Sequence, residues 1–223
     1  MKKNFLCGHF TQLLIYLSIL FVVRPYSAGL LYKGFWHTIL ILVFISSIIH
    51  IDHHKIIKNL SIYIAIPSIL LYWIDLFFPM KPLLIVAIIL TIVFMFLSVV
   101  SIMKKVVIEA RVKLETLRGA VCAYLLIAFS FAFIYALIEI VFPGSFNITS
   151  NHSIEGHYNF FSWIMYYSFV TLLTIGYGDL TPINTLSQSL SILEGISGQF
   201  YIAILVSRLV SVYSSSKIKV QQS

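Results

Sequence analysis

Over 223 residues the chain is 60% hydrophobic and only 10% charged, with a mean hydropathy of +0.97. Soluble domains carry charge at about a quarter of their positions, so these proportions exclude one and specify an integral membrane protein. The net charge of +7 needs no nucleic acid to explain it when the basic residues gather at one membrane face beside anionic inner-leaflet lipid.

At roughly 17 to 25 apolar residues per span, six stretches can cross as helices: about Phe5–Val23, Phe35–Ile51, Leu60–Phe78, Leu83–Met103, Ala120–Phe142 and Ser187–Val212. Lys2 and Lys3 ahead of the first span also suit a signal peptide, but Tyr26 fits poorly at the −3 position of a cleavage after Ala28. At the inner end of the second span, His50, Asp52, His53 and His54 cluster. His50 and His54 share an i,i+4 face that suits a metal, or the group is a titrating patch facing the headgroups. Pro67 is expected to kink the third span, and Asp75 and Glu139 lie near span ends from which they can snorkel to the interface.

The chain divides at a charged stretch into an N-terminal four-helix unit (1–103), a linker (104–118), a second membrane unit (119–213) and a short cytoplasmic tail (214–223). Met103, Val107, Ala110, Leu114 and Leu117 form an apolar stripe, with Lys105/Glu109, Glu109/Lys113 and Arg111/Glu115 as i,i+4 pairs on other faces. The linker therefore reads as an amphipathic helix on the cytoplasmic surface, or as a solvated extension of span four. Tyr158–Leu173 is apolar but too short to span, and predicts a re-entrant helix capped by Asn159 with its body over Phe160–Leu172. The C-terminal end of such a helix favours a cation.

Thr174-Ile175-Gly176-Tyr177-Gly178-Asp179 follows directly. Gly176 and Gly178 allow positive φ at alternate positions, so successive carbonyl oxygens can face one axis and replace the hydration shell of an ion. The Thr174 hydroxyl adds an oxygen at the inner end. Tyr177 points away from the axis, with Trp163, Tyr166, Tyr167 and Thr171 as its helical support. Asp179 stands at the outer mouth, either free to concentrate cations or bonded to Tyr166 or another donor. In the last span Gly198 is a hinge or a close contact between helices. Gln199, Ile202 and Val206 share the face below it. Glu194, an acid within a membrane helix, calls for a role, either a structural hydrogen bond or sensitivity to protons or permeating ions.

With the N-terminus inside, Lys2, Lys3, Lys55, Lys58, Lys104, Lys105, Arg111, Lys113, Arg118, Arg208, Lys217 and Lys219 are cytoplasmic, leaving only Arg24, Lys33 and Lys81 of the 15 basic residues outside. This bias places both termini in the cytoplasm and the re-entrant segment on the external side. Cys7 and Cys122 are expected as free thiols. Asn147-Ile148-Thr149 and Asn151-His152-Ser153 are glycosylation sequons in the external loop.

Thr171 to Asp179, the preceding Tyr166-Tyr167-Ser168-Phe169-Val170, and Gly198 at the spacing of an inner-helix hinge resemble the potassium channel superfamily. The likeness is to bacterial six-helix channels with a two-helix-plus-pore-loop ("ion channel 2") pore, over about residues 119–213. It implies an all-α membrane fold of six transmembrane helices with a re-entrant pore helix and selectivity filter. It also implies passive potassium conduction through a homotetramer in a bacterial inner membrane, with K+ held by the carbonyls of Thr174–Gly178. One filter strand per chain independently calls for four chains. Leu173 stands where members often carry a second Thr, and Val170 where some carry a Glu. These departures leave a weakly selective cation channel, or a subunit that co-assembles with a partner, as alternatives. Leu83–Met103 has no Lys or Arg, whereas voltage sensing needs several charges in the field, so steep voltage gating is not expected. Beyond the permeating ion no cofactor is expected. No catalytic triad, paired intramembrane carboxylates or phosphate loop points to an enzyme, and no repeat between the halves points to a secondary transporter.

Overall fold

Apolar runs separated by prolines and polar turns fold here as a helical bundle. The computed structural model describes residues 9–23, 30–49, 55–108, 114–148 and 157–221. In chain order these form α1 (His9–Val22), α2 (Leu30–Ile49), α3 (Lys55–Phe77), α4 (Lys81–Ile108), α5 (Leu114–Val141), β1 (Phe146–Ile148), α6 (His157–Leu172), β2 (Leu180–Pro182) and α7 (Thr185–Gln221). Among the described residues five helices, α2 to α5 and α7, are long and apolar enough to cross a membrane. The first expected span is described only from His9, over 14 residues. The residues of the expected His50, His53 and His54 cluster lie outside the described residues, as does Cys7.

Local chemistry sets several boundaries. Pro79 follows the end of α3, and Pro82 sits in the first turn of α4, where its missing N–H costs nothing. α3 continues through Pro67 as one helix. The charged linker is not an element of its own among the described residues. Residues 104–108 are the last turn of α4 and 114–118 open α5, because the apolar periodicity runs on from the spans at both sides. Likewise α7 extends through the expected tail to Gln221. Asn159 lies inside α6, which already runs from His157, so it is not the cap. Asp75 and Glu139 are engaged locally. Asp75 accepts the Met80 N–H at 3.2 Å, and Glu139 accepts the N–H groups of Gly144 and Ser145 at 2.7 and 2.9 Å.

The packing centres on α5, which touches α1, α4, α6 and α7 and is the most buried of the spans. Ala120, Ala123, Ala128, Ala132 and Ala136 are buried along it, and small side chains let membrane helices approach closely. α1 is tied to it by Arg118, which donates to Thr11 at 2.9 Å and pairs with Glu115 at 2.6 Å. Buried Cys122, a free thiol, donates to the Phe10 carbonyl. Phe21 of α1 meets Phe169 of α6 with ring centroids 4.6 Å apart, and Trp36 of α2 meets Phe161 at 6.0 Å. The N-terminal helices thus brace α6 directly.

β1 and β2 pair antiparallel in the register Phe146↔Pro182, Asn147↔Thr181 and Ile148↔Leu180. Because β1 precedes α6 and β2 follows the glycine-rich segment, this pairing returns the chain to the end of the bundle from which it left. Asn184 then caps α7, its side-chain oxygen accepting the Ser187 N–H at 2.7 Å while its amide donates to Ser145 at 2.6 Å.

Candidate functional site

The 16 residues of α6, about 24 Å at ~1.5 Å per residue, end in a C-cap that launches the glycine-rich segment. The Ile175 N–H donates to the Val170 carbonyl at 2.9 Å and the Thr174 N–H to the Thr171 carbonyl at 3.0 Å. This is the paired bonding of a Schellman motif, with Thr174 at the left-handed position that glycine usually fills. Thr174 has φ 57°, followed by Gly176 at 61° and Gly178 at 78°. Glycine chemistry predicts the positive φ at 176 and 178, whereas nothing in the residue type predicts it at Thr174. A β-branched residue there is strained, and strain of order 1–3 kcal/mol persists where surrounding structure holds it.

Alternation of backbone hand at 174, 176 and 178 is the pattern by which successive peptides can turn their N–H groups to one side and their carbonyls to the other. Residues 173–178 are all exposed in the chain. Tyr166 supports the far end. Its ring stacks on Tyr177 at 6.3 Å and 3° between planes, and its hydroxyl donates to Asp179 at 2.8 Å. The second Asp179 oxygen accepts the Leu180 N–H at 3.1 Å. Trp163 meets Tyr166 edge-on at 6.0 Å.

Tyr167 turns the other way. It is buried against Tyr135 and Phe146 and hydrogen-bonds Ser191 at 2.6 Å. Residues adjacent on a helix point about 100° apart, so Tyr166 and Tyr167 cannot both face Tyr177. Tyr166→Phe keeps the stacked ring and removes Asp179's donor. It should lower the stability of the folded protein by about 1–2 kcal/mol, read as a lower melting temperature. An unchanged melting temperature would show that the bond contributes nothing.

Below the turned segment an open hollow of about 520 Å³ is lined by Thr174, Ile192, Gly195, Ile196, Gln199, Phe200 and Ala203. Gln199 reaches up to donate to the Thr174 hydroxyl at 3.4 Å. Ile202 and Val206 are exposed but stand outside this lining, where Phe200 and Ala203 take the expected place.

α7 runs unbroken through Gly198. A Cβ at that position would lie 2.5 Å from the Leu172 carbonyl oxygen, the last carbonyl of α6, which also accepts the Tyr124 hydroxyl at 3.2 Å. The expected hinge is thus a site of close approach in this structure. Glu194 is fully buried behind α6, contacting Tyr135 of α5 and Ser168 of α6. Neither partner was legible in the sequence, nor was Tyr201, whose hydroxyl donates to the Ala120 carbonyl. A buried polar side chain on a span was the available signal.

A membrane-length helical bundle that presents an exposed backbone segment of alternating hand has the form of an ion-conducting protein. Residues 121–215 match the family described as "Ion channel". The chain is also 31% identical over 100 residues to "Protein LctB" of Bacillus caldotenax, covering 45% of this chain and 74% of that protein. The chain belongs to this ion-channel family. No solved structure matches it.

Proposed function

We propose that this chain is the subunit of a potassium-selective channel, a homotetramer that conducts K+ passively without steep voltage dependence. The observation that carries the reading is the left-handed backbone at Thr174, Gly176 and Gly178, which suits a row of carbonyl oxygens replacing the hydration of a dehydrated cation. The exposure of residues 173–178 and the low burial of α7 are what a protomer with neighbours around a shared axis presents. Four such chains close a ring with Thr174 to Gly178 toward the centre, Asp179 at the outer mouth, and the hollow beside Gln199 as part of an inner vestibule.

In this reading α6 enters the membrane from outside and the chain returns to the same side, as the β1–β2 pairing suits. Both termini face the cytoplasm, and α1 completes a sixth span. The absence of Lys and Arg from Leu83–Met103 supports gating by something other than voltage.

The reversal potential of the purified protein in a planar bilayer, with potassium on one side and sodium on the other, tests this. A value near the potassium equilibrium limit is expected. A value near zero would replace the reading with a weakly selective cation channel and direct attention to Leu173 and Val170. Absence of current from the purified chain would favour co-assembly with a partner subunit.

A further inference from the structure

Ser168 makes two close contacts, to Glu194 and to the Ala128 carbonyl, that its single hydroxyl hydrogen cannot serve together. The Oε2 of Glu194 lies 2.7 Å from the Tyr135 hydroxyl, which donates to it. Its Oε1 lies 2.5 Å from Ser168 Oγ, and Ser168 Oγ is in turn 2.7 Å from the Ala128 carbonyl oxygen. A serine hydroxyl carries one hydrogen and two acceptor lone pairs. Three oxygens in a row at such separations need two protons between them, because an oxygen pair this close with no proton is repulsive. The Ala128 carbonyl can only accept, so Ser168 donates to it. The second proton must therefore come from Glu194.

We propose that Glu194 is held as the neutral carboxylic acid and, as donor to Ser168, positions the pore helix α6 against α5 and α7 behind the filter. The hydrogens then run in one order, from Tyr135 to Glu194, from Glu194 to Ser168, and from Ser168 to the Ala128 carbonyl, joining three helices. In the neighbouring relay Tyr167 donates to Ser191 and Ser191 to the Ser187 carbonyl at 2.7 Å, so the hydrogens of both hydroxyls are already placed and neither supplies Glu194's proton; Ser191 also borders Tyr135. The titratable groups facing Glu194 are Tyr135 and Tyr124 of α5 and Tyr167 of α6, phenols that are uncharged at neutral pH. Among the described residues no lysine, arginine or histidine acts on Glu194. A carboxylate there would be a buried ion without a counter-charge, which is far more costly than a neutral acid with both oxygens bonded. Ser168 lies six residues before Thr174 on the same helix that launches the filter, so a displaced Ser168 carries the filter's anchor with it. Glu194 is thus a positioning residue, acting on permeation only through α6.

This inference rests on the channel reading for its consequence, but its chemistry is testable without conduction. Infrared spectra of the full-length protein in lipid at neutral pH should contain the carbonyl band of a protonated carboxylic acid. That band should vanish in Glu194→Gln and move in Ser168→Ala, which removes the acceptor. In potassium-over-sodium flux, Glu194→Ala should lose about tenfold in selectivity, because Tyr135 loses the carboxyl it donates to and Ser168 loses the donor that ties α6 to α7. Glu194→Gln offers an N–H and a carbonyl at the same two positions and should restore it. Absence of a band sensitive to Glu194→Gln, or a band unmoved in Ser168→Ala, overturns the proposal whatever the protein conducts. Glu194→Gln as defective as Glu194→Ala overturns the positioning role. A wild-type protein that shows the band yet passes potassium and sodium alike sinks the selectivity reading and leaves the proton assignment standing.

Discussion

Gly176→Ala should abolish potassium selectivity while Gly144→Ala leaves it intact. Both glycines are left-handed, with φ of 61° and 83°, and both have open space where a Cβ would stand. The intrinsic penalty of an L-residue in that region is therefore the same at both sites, about 1–2 kcal/mol. The sites differ in what the strain can move. Gly144 lies in the turn after α5, held by Glu139, where a small adjustment reaches nothing that binds an ion. At Gly176 relief means rotating a peptide of the exposed row, and on the proposed reading that takes a carbonyl away from the ion. In a tetramer the penalty is repeated four times, on the order of 4–8 kcal/mol per pore. The expected result is a potassium-to-sodium reversal potential that collapses toward zero for Gly176→Ala in assembled protein and is unchanged for Gly144→Ala. Selective permeation through the Gly176→Ala protein would contradict the assignment of Thr174–Gly178 as the ion-binding row.

The second large effect is at Gly198, where two roles predict opposite signs. A glycine that serves only as a bend in a helix is a weak point, and replacing it by alanine should stabilise the folded protein by about 0.5–1 kcal/mol through helix propensity. Close approach predicts the reverse. The added Cβ would meet the Leu172 carbonyl oxygen at 2.5 Å and the Leu172 side chain at 3.0 and 3.2 Å. Leu172 is fully buried and its carbonyl is clasped by Tyr124, so the end of α6 cannot give way cheaply. Overpacking of this kind costs about 1–3 kcal/mol. Gly198→Ala should therefore lower the melting temperature of the assembled protein and reduce potassium flux, since the displaced carbonyl lies two residues before Thr174. Gly195→Ala, one turn away with nothing within 4 Å, should not lower the melting temperature. A Gly198→Ala protein that melts higher than wild type would restore the hinge.

Short-range chemistry announces part of this protein and conceals the rest. The lengths of the apolar runs, the glycines that permit a left-handed backbone, and the acid that closes the Thr-Ile-Gly-Tyr-Gly-Asp segment are local properties. A bilayer imposes a length on any helix that crosses it, and φ is restricted residue by residue, so both can be read from the chain before it folds. Positive φ at Thr174 follows from the C-cap of α6, whose hydrogen bonds are local but whose end point is not written in the residue type. The cap at Asn184 has a local signal, an asparagine just ahead of a helical run.

Partnership between distant residues was not legible. That Tyr166 faces Tyr177 while Tyr167 faces Tyr135 depends on how α6 is rotated against α5. That Gly198 touches Leu172, and that Glu194 meets Ser168 and Tyr135, depends on where α7 crosses behind α6. Every span here is apolar on most of its faces, so hydrophobic patterning leaves rotation and crossing point undetermined. Those are settled by side-chain packing between helices far apart in sequence and by the need of each buried polar group for a hydrogen-bonding partner.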